Sequence, residues 1–172
     1  MKIIGLAGKA RCGKDTTADI ISAHEWIWRD AFAAPIRAIA RATFDMTDDE
    51  LEEHKEKIDP IIGMSPRQFM QRIGDAGRSI DPAIWINSLA KRLQKITDGI
   101  KVAVITDARF ENEATWIRNQ GGEIWHIQRE NAGTRHEHSS ENGIDIKPGD
   151  IVIENNGTIG DLATKVANAL YQ

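Results

Sequence analysis

The run Gly8-Lys9-Ala10-Arg11-Cys12-Gly13-Lys14-Asp15-Thr16 has the residue types and spacing to hold phosphate. Its glycines let the backbone turn so that N–H groups converge as an anion nest. A helix opening at the end of the run adds the positive end of its dipole, and Lys14 is placed to reach the β- and γ-phosphates of a nucleotide. The usual GxxxxGK[ST] pattern is broken once: Asp15 takes the hydroxyl position, with Thr16 and Thr17 behind it. Asp15 has two readings. Its carboxylate approaches Mg²⁺, directly or through water, while Thr16 supplies a hydroxyl; or it is only an acid favoured at a helix N-terminus. Cys12 reads as a small loop residue rather than a nucleophile.

A second acidic group lies at Thr106-Asp107-Ala108-Arg109-Phe110-Glu111-Asn112-Glu113. An acid at the C-terminal end of a buried strand lies in the crevice where open α/β sheets bind ligands. For a phosphate-loop protein this is where a Mg²⁺-associated aspartate belongs. Arg109, two residues on along an extended chain, points the same way, and Glu113 falls in the first turn of the next helix. For Arg109 and Glu113 a local pairing competes with a catalytic role, and for Asp107 a helix cap does.

The elements that must position these groups alternate. Short apolar runs at Met1–Ala7, Glu25–Phe32, Lys101–Thr106, Glu123–Gln128 and Asp150–Glu154 read as strands. Lys101–Thr106 is continuously apolar, as in a parallel sheet covered on both faces. Helices are expected over Asp15–Ala23 and from Pro35 to Phe44. A charged, peripheral helix should follow Thr47, and others should open at Ser65-Pro66 and Asp81-Pro82. The last of these carries Trp85, Ile86, Leu89, Leu93 and Ile96 at helical spacing. Asn112–Gln120 and the stretch capped by Thr158-Ile159-Gly160-Asp161 complete the set. Glu130–Gly149 is a polar, irregular excursion. The alternation argues for a parallel sheet with helices on both faces.

Composition narrows the function. The chain has 172 residues, 41% apolar and 28% charged, with a net charge of −4, which fits one folded domain. The acidic balance and lack of a basic stripe count against a nucleic-acid module. No stretch has the length of a membrane span, and the apolar start is too short for a signal peptide. One cysteine cannot form an intrachain disulfide, which suits a reducing cytosol.

The sequence resembles the phage deoxynucleoside monophosphate kinase family, relatives of the nucleoside monophosphate kinases. The resemblance rests on the GKD-type loop Gly8–Thr17, on Phe32-Ala33-Ala34-Pro35-Ile36-Arg37, on Arg67–Gly74 with Trp85-Ile86, and on Ile105–Glu113. Ile153-Glu154-Asn155-Asn156-Gly157-Thr158 is similar to the corresponding loop of related kinases. This loop has Arg11-Cys12 where such kinases often carry Gly or Ser. The resemblance implies a three-layer α/β P-loop NTPase fold over 1–172: a five-stranded parallel sheet, a helical acceptor-binding insert at about 45–98 and a short lid at about 129–149.

It further implies ATP as donor and Mg²⁺ as cofactor, held by Asp15, Thr16 and Asp107. Lys14, Asp15, Asp107, Arg109 and Glu113 would serve catalysis, and Gly8, Arg11, Cys12, Gly13, Lys14, Asp15, Thr16 and Thr17 would line the donor phosphates. Asn155 would lie near the adenine. Arg67, Gln71, Arg72, Arg78 and Trp85 would meet the acceptor nucleotide, by charge, hydrogen bonding and stacking; for Trp85 a core position competes, and at least one of the arginines should be a plain surface residue. Arg129 and Arg135 flank the lid. His126, His136 and His138 with Glu137 and Glu141 match no zinc spacing. The implied partners are small nucleotides, with no nucleic acid and no membrane, in a cytoplasm that is the host's if the chain is phage-encoded. The oligomeric state is open, a homodimer included. Competing readings are a kinase of another small metabolite, since similar loops occur outside nucleotide metabolism, and a nucleotide-dependent switch or assembly ATPase.

Overall fold

The computed structural model describes residues 1–96, 99–130, 132 and 143–172. The chain forms two compact units, Met1–Ala31 with Leu93–Gln172, and Phe32–Arg92. No helix among the described residues is long and apolar enough to cross a membrane.

The first unit is built on five parallel strands: β1 (Lys2–Ala7), β2 (Ile27–Asp30), β3 (Val102–Ile105), β4 (Glu123–Gln128) and β5 (Ile151–Glu154), in the order β2-β3-β1-β4-β5. Side chains alternate between the two faces of a strand. Ile4 and Leu6 of β1, with Val104, Trp125, Ile127 and Ile153, pack in one cluster with Ala18 and Ile21 of helix α1 (Lys14–His24) and Leu162 and Val166 of the last helix, α7 (Ile159–Leu170). The other face takes α6 (Glu111–Asn119). At Gly5 the contact is so close that a Cβ would sit 2.5 Å from the Ile117 Cδ1. Both faces are therefore covered, which is why β1 and β3 read as nearly unbroken apolar runs.

β2 is shorter than its aromatic-rich sequence implies. It is an edge strand paired only with the four residues of β3, from Ile27↔Val102 to Asp30↔Ile105. Trp26, just before it, is 77% exposed.

A buried ionic cluster fixes the start of β5. Asp150 Oδ1 and Oδ2 accept from Arg118 Nε (3.0 Å) and Nη2 (2.7 Å), and Oδ2 also meets His126 Nε2 (2.9 Å) and the Lys147 N–H (2.9 Å). The preceding stretch is tied to α6 as well, by Glu111, which accepts from the Asp145 N–H and the Lys147 ammonium. Burial alone would raise the Asp150 carboxyl, but hydrogen bonds from Arg118, Lys147 and His126 outweigh it and hold it at about 2. A carboxyl lowered from 3.8 to about 2 on folding stabilises by about 2 kcal/mol above its ordinary range. That contribution is complete above pH 4 and is lost as pH falls through 2. Asp150→Asn should cost about 3 kcal/mol, because it leaves the Arg118 guanidinium without its carboxylate. Melting curves at pH 7 and pH 3 test this: the variant should lose most at pH 7, and an equal loss at both pH values would refute the ionic account.

The second unit is helical: α2 (Ala34–Phe44), α3 (Asp48–Glu53), α4 (Pro66–Ile80) and most of α5 (Ile84–Leu93). Capping boxes open α3 and α4, Thr47 with Glu50 and Ser65 with Gln68, as their sequences predict. Leu51 is the buried residue of the otherwise charged α3. Phe44 packs edge-to-face on Phe69 (5.5 Å), joining α2 to α4. α5 begins later than Asp81-Pro82 implies. Asp81 instead shapes a turn, its Oδ1 accepting from the Ala83 N–H (2.8 Å) and its carbonyl from the Ile84 N–H (3.0 Å).

Candidate active site

A parallel sheet delivers the C-terminal ends of all its strands to one edge. In the first unit that edge carries Gly8–Thr17 after β1, Asp107 after β3, Arg129 after β4 and Asn155 after β5. β1 and β3 are neighbours, and the Ala108 N–H donates to Leu6 O (3.2 Å). That stitch sets Asp107 beside the strand end from which the loop springs.

The loop has the backbone its sequence requires. Gly8 has φ 141° and Gly13 φ 109°, and Arg11, at φ 62°, occupies the left-handed region without being glycine. A Cβ on Gly8 would fall 2.3 Å from Ile127 O. Strain at a non-glycine residue costs about 1–3 kcal/mol and concentrates where a ligand is gripped. Cys12 is buried and belongs to the core cluster beneath the loop, so its thiol packs inward. Lys14 Nζ curls back over the loop, donating to Gly8 O (2.8 Å) and Lys9 O (2.9 Å).

The three residues after Lys14 divide their work. Thr17 is fully buried and its hydroxyl donates back to Gly13 O (2.9 Å). Thr16 is the half-exposed hydroxyl of the pair. Asp15 is paired with Arg29 of β2 at 2.6 Å, and the same guanidinium reaches Asp19 at 2.7 Å. Arg29 thus ties β2 to the first turns of α1. The sequence reading missed it, since only the side-by-side placement of β2 and α1 reveals the contact.

Around Asp107 the turn is held from within. Glu113, 3% exposed, accepts from the Arg109 N–H (2.9 Å) and the Phe110 N–H (3.1 Å) through Oε2. Its carboxylate thereby caps the start of α6 and shapes the chain that carries Asp107 and Arg109. Arg109 is half-buried. Arg129 is exposed, and the next residue, Glu130, donates its N–H to the Asn156 side chain (2.7 Å), a contact not read from the sequence. Arg135, with His136, Glu137, His138 and Glu141, lies outside the described residues. His126 meets Asp150, as described above.

The remaining candidates are in the second unit. Arg67, Gln71 and Arg78 recur at i, i+4 and i+11, on one face of α4, whereas Arg72 falls off that face and is exposed. Arg67 pairs with Glu56, and Arg78 lies 3.5 Å from Asp75. Trp85 donates from its ring nitrogen to Gly74 O (3.0 Å), and its ring fills the space above Gly77, where a Cβ would meet it at 2.3 Å. Its indole is thus packed on α4.

Comparison with known proteins places the chain in a family. The sequence profile of the deoxynucleotide monophosphate kinase family matches residues 46–166, a span that includes Asp107 and α4 but begins after the phosphate loop. The candidate deoxynucleotide monophosphate kinase of Acanthamoeba polyphaga mimivirus is 28% identical over 186 aligned positions, covering 99% of this chain and 96% of that protein. The deoxynucleotide monophosphate kinase of Enterobacteria phage T4 is 25% identical over 238, covering 99% of each. That of Escherichia phage RB69 is 28% identical over 109, covering 62% of this chain and 45% of its own. With a profile match across most of its length, full-length relatives, and a phosphate loop beside a strand-end aspartate, the chain belongs to the deoxynucleotide monophosphate kinase family.

Proposed function

We propose that this protein transfers the terminal phosphoryl group of ATP, taken as its Mg²⁺ complex, to a deoxynucleoside 5′-monophosphate, giving the diphosphate and ADP. The observation that carries the reading is the loop Gly8–Thr17 at the end of β1 with Asp107 at the end of the adjacent β3. Phosphoryl transfer asks a protein for alignment and positive charge more than for covalent chemistry. The acceptor is already a phosphate oxygen, so no strong general base is needed.

The loop's N–H groups and Lys14 hold the donor phosphates, with Lys14 exchanging the carbonyls of Gly8 and Lys9 for phosphate oxygens. Thr16 and Asp107 offer a hydroxyl and a carboxylate, an all-oxygen set that suits a hard cation. Mg²⁺ held there would supply neutralisation of the charge on the donor phosphates. Asp15, whose charge is shared with Arg29, would join Thr16 and Asp107 directly or through water. Arg109 stabilises charge on the transferring group, and Arg129, exposed at the end of β4, adds a second positive charge at that edge. Acceptor recognition falls to the second unit, where Arg67, Gln71 and Arg78 share a face of α4; Trp85 borders that helix and Arg72 is peripheral.

The test is ATP consumption with Mg²⁺ against a panel of deoxynucleoside and nucleoside monophosphates. ADP and diphosphate should appear only when an acceptor is added. Hydrolysis at the same rate without acceptor would replace this reading with that of a switch ATPase. Arg109→Ala should lower turnover on the order of a hundredfold with little change in melting temperature. A variant that only melts earlier would assign Arg109 to stability.

A further inference from the structure

Asn155 is bound on two sides, and both contacts are to the protein's own backbone. Its backbone N–H donates to Gln128 O (2.7 Å), adding one rung to the β4–β5 ladder, so its Cα is fixed by the sheet. The residue is 8% exposed, and its side-chain Nδ2 donates to Cys12 O at 2.8 Å, across 143 positions of sequence. A carbonyl can only accept, so it is the NH₂ end of the amide that faces the loop. The next residue of the loop is equally close: a Cβ on Gly13 would lie 2.4 Å from the same nitrogen.

Cys12 O and the Gly13 N–H belong to one trans peptide plane, in which the two groups point in opposite directions. An amide that holds the carbonyl toward β5 therefore turns the Gly13 N–H to the opposite side of the loop. Gly13, at φ 109°, is a residue whose backbone could otherwise reorient at little cost. The peptide immediately precedes Lys14 and the N-terminus of α1.

We propose that Asn155 is a positioning residue for donor binding: it recognises no base, and it locks the Cys12–Gly13 peptide so that the phosphate loop is preorganised for a triphosphate. This rests on the reading that the loop binds the donor's phosphates. It also predicts which part of the donor should feel the loss. A strut beneath the loop affects every triphosphate alike, whereas a contact to the base affects one nucleotide.

The experiment is calorimetric titration of ATP, GTP and inorganic tripolyphosphate into the full chain and into Asn155→Asp and Asn155→Ser, with Mg²⁺ present. Asp is isosteric and cannot donate from the carboxylate; Ser removes the amide without adding charge. Both should weaken all three ligands by a similar factor, about tenfold to a hundredfold. KM for ATP should rise by that factor, with kcat at saturating donor changed far less. If Asn155→Asp does not fold, Asn155→Ser carries the comparison. Unchanged affinities would overturn the strut, as would a loss confined to ATP with GTP and tripolyphosphate unaffected. A wild-type chain that binds none of the three would overturn the donor reading itself, and this inference with it.

Discussion

Lys14→Ala should abolish most turnover, lowering kcat/KM on the order of 10²–10³-fold, the range seen when one preorganised donor to developing charge is removed. The ammonium is already inside the curve of the loop, hydrogen-bonded to Gly8 O and Lys9 O, so its position is set before any phosphate arrives. Those two carbonyls belong to exposed loop residues, and α1 keeps its glycine cap and its buried face without the side chain. The melting temperature should therefore stay close to that of the parent. Steady-state rates with a saturating monophosphate, read beside a thermal melt, check both halves. Near-normal turnover would remove Lys14 from donor binding. Lys14→Arg is not a conservative rescue, because a planar fork cannot occupy the site of a compact ammonium.

Asp107→Asn comes second in expected size, with turnover down about a hundredfold or more and a higher Mg²⁺ concentration needed for half-maximal rate. The substitution keeps shape and removes only charge. The turn around it is held by the Ala108 N–H on Leu6 O and by the Glu113 carboxylate on the Arg109 and Phe110 N–H groups. A loss of rate with an unchanged Mg²⁺ requirement would mean that Asp107 acts on something other than the cation.

Much of this was legible from residue types in local order. β1, β4 and the helix starts at Thr47, Ser65 and Thr158 follow from apolar runs and from side chains that bond three positions away. The phosphate loop is likewise local, its glycines meeting a φ requirement within six residues. What the sequence hides depends on strand order. Arg29 reaches Asp15 because β2 lies beside α1, Asn155 reaches Cys12 because β5 ends at the same edge as β1, and Asp150 gathers Arg118 and His126 from two other elements. Spacing along the chain carries no trace of such meetings. Glu113 is legible only in part: the motif leaves chemistry and a local pairing both open, and it takes the fold to show its carboxylate accepting from the Arg109 and Phe110 N–H groups.

The strand order also sets a timetable. β1 is central and pairs with β3 and β4, so Lys2 meets Val102, and Ile4 meets Glu123. β1 is thus synthesised long before either of its sheet partners, and closing such distant pairs is the slow part of folding a parallel sheet. The phosphate loop waits too, since the amide that braces Cys12 arrives 143 residues after it. A nascent chain would carry the nucleotide motif long before it could grip a nucleotide. Donor binding then acts as a seal on the completed fold, since it stabilises only molecules in which the last strand has docked.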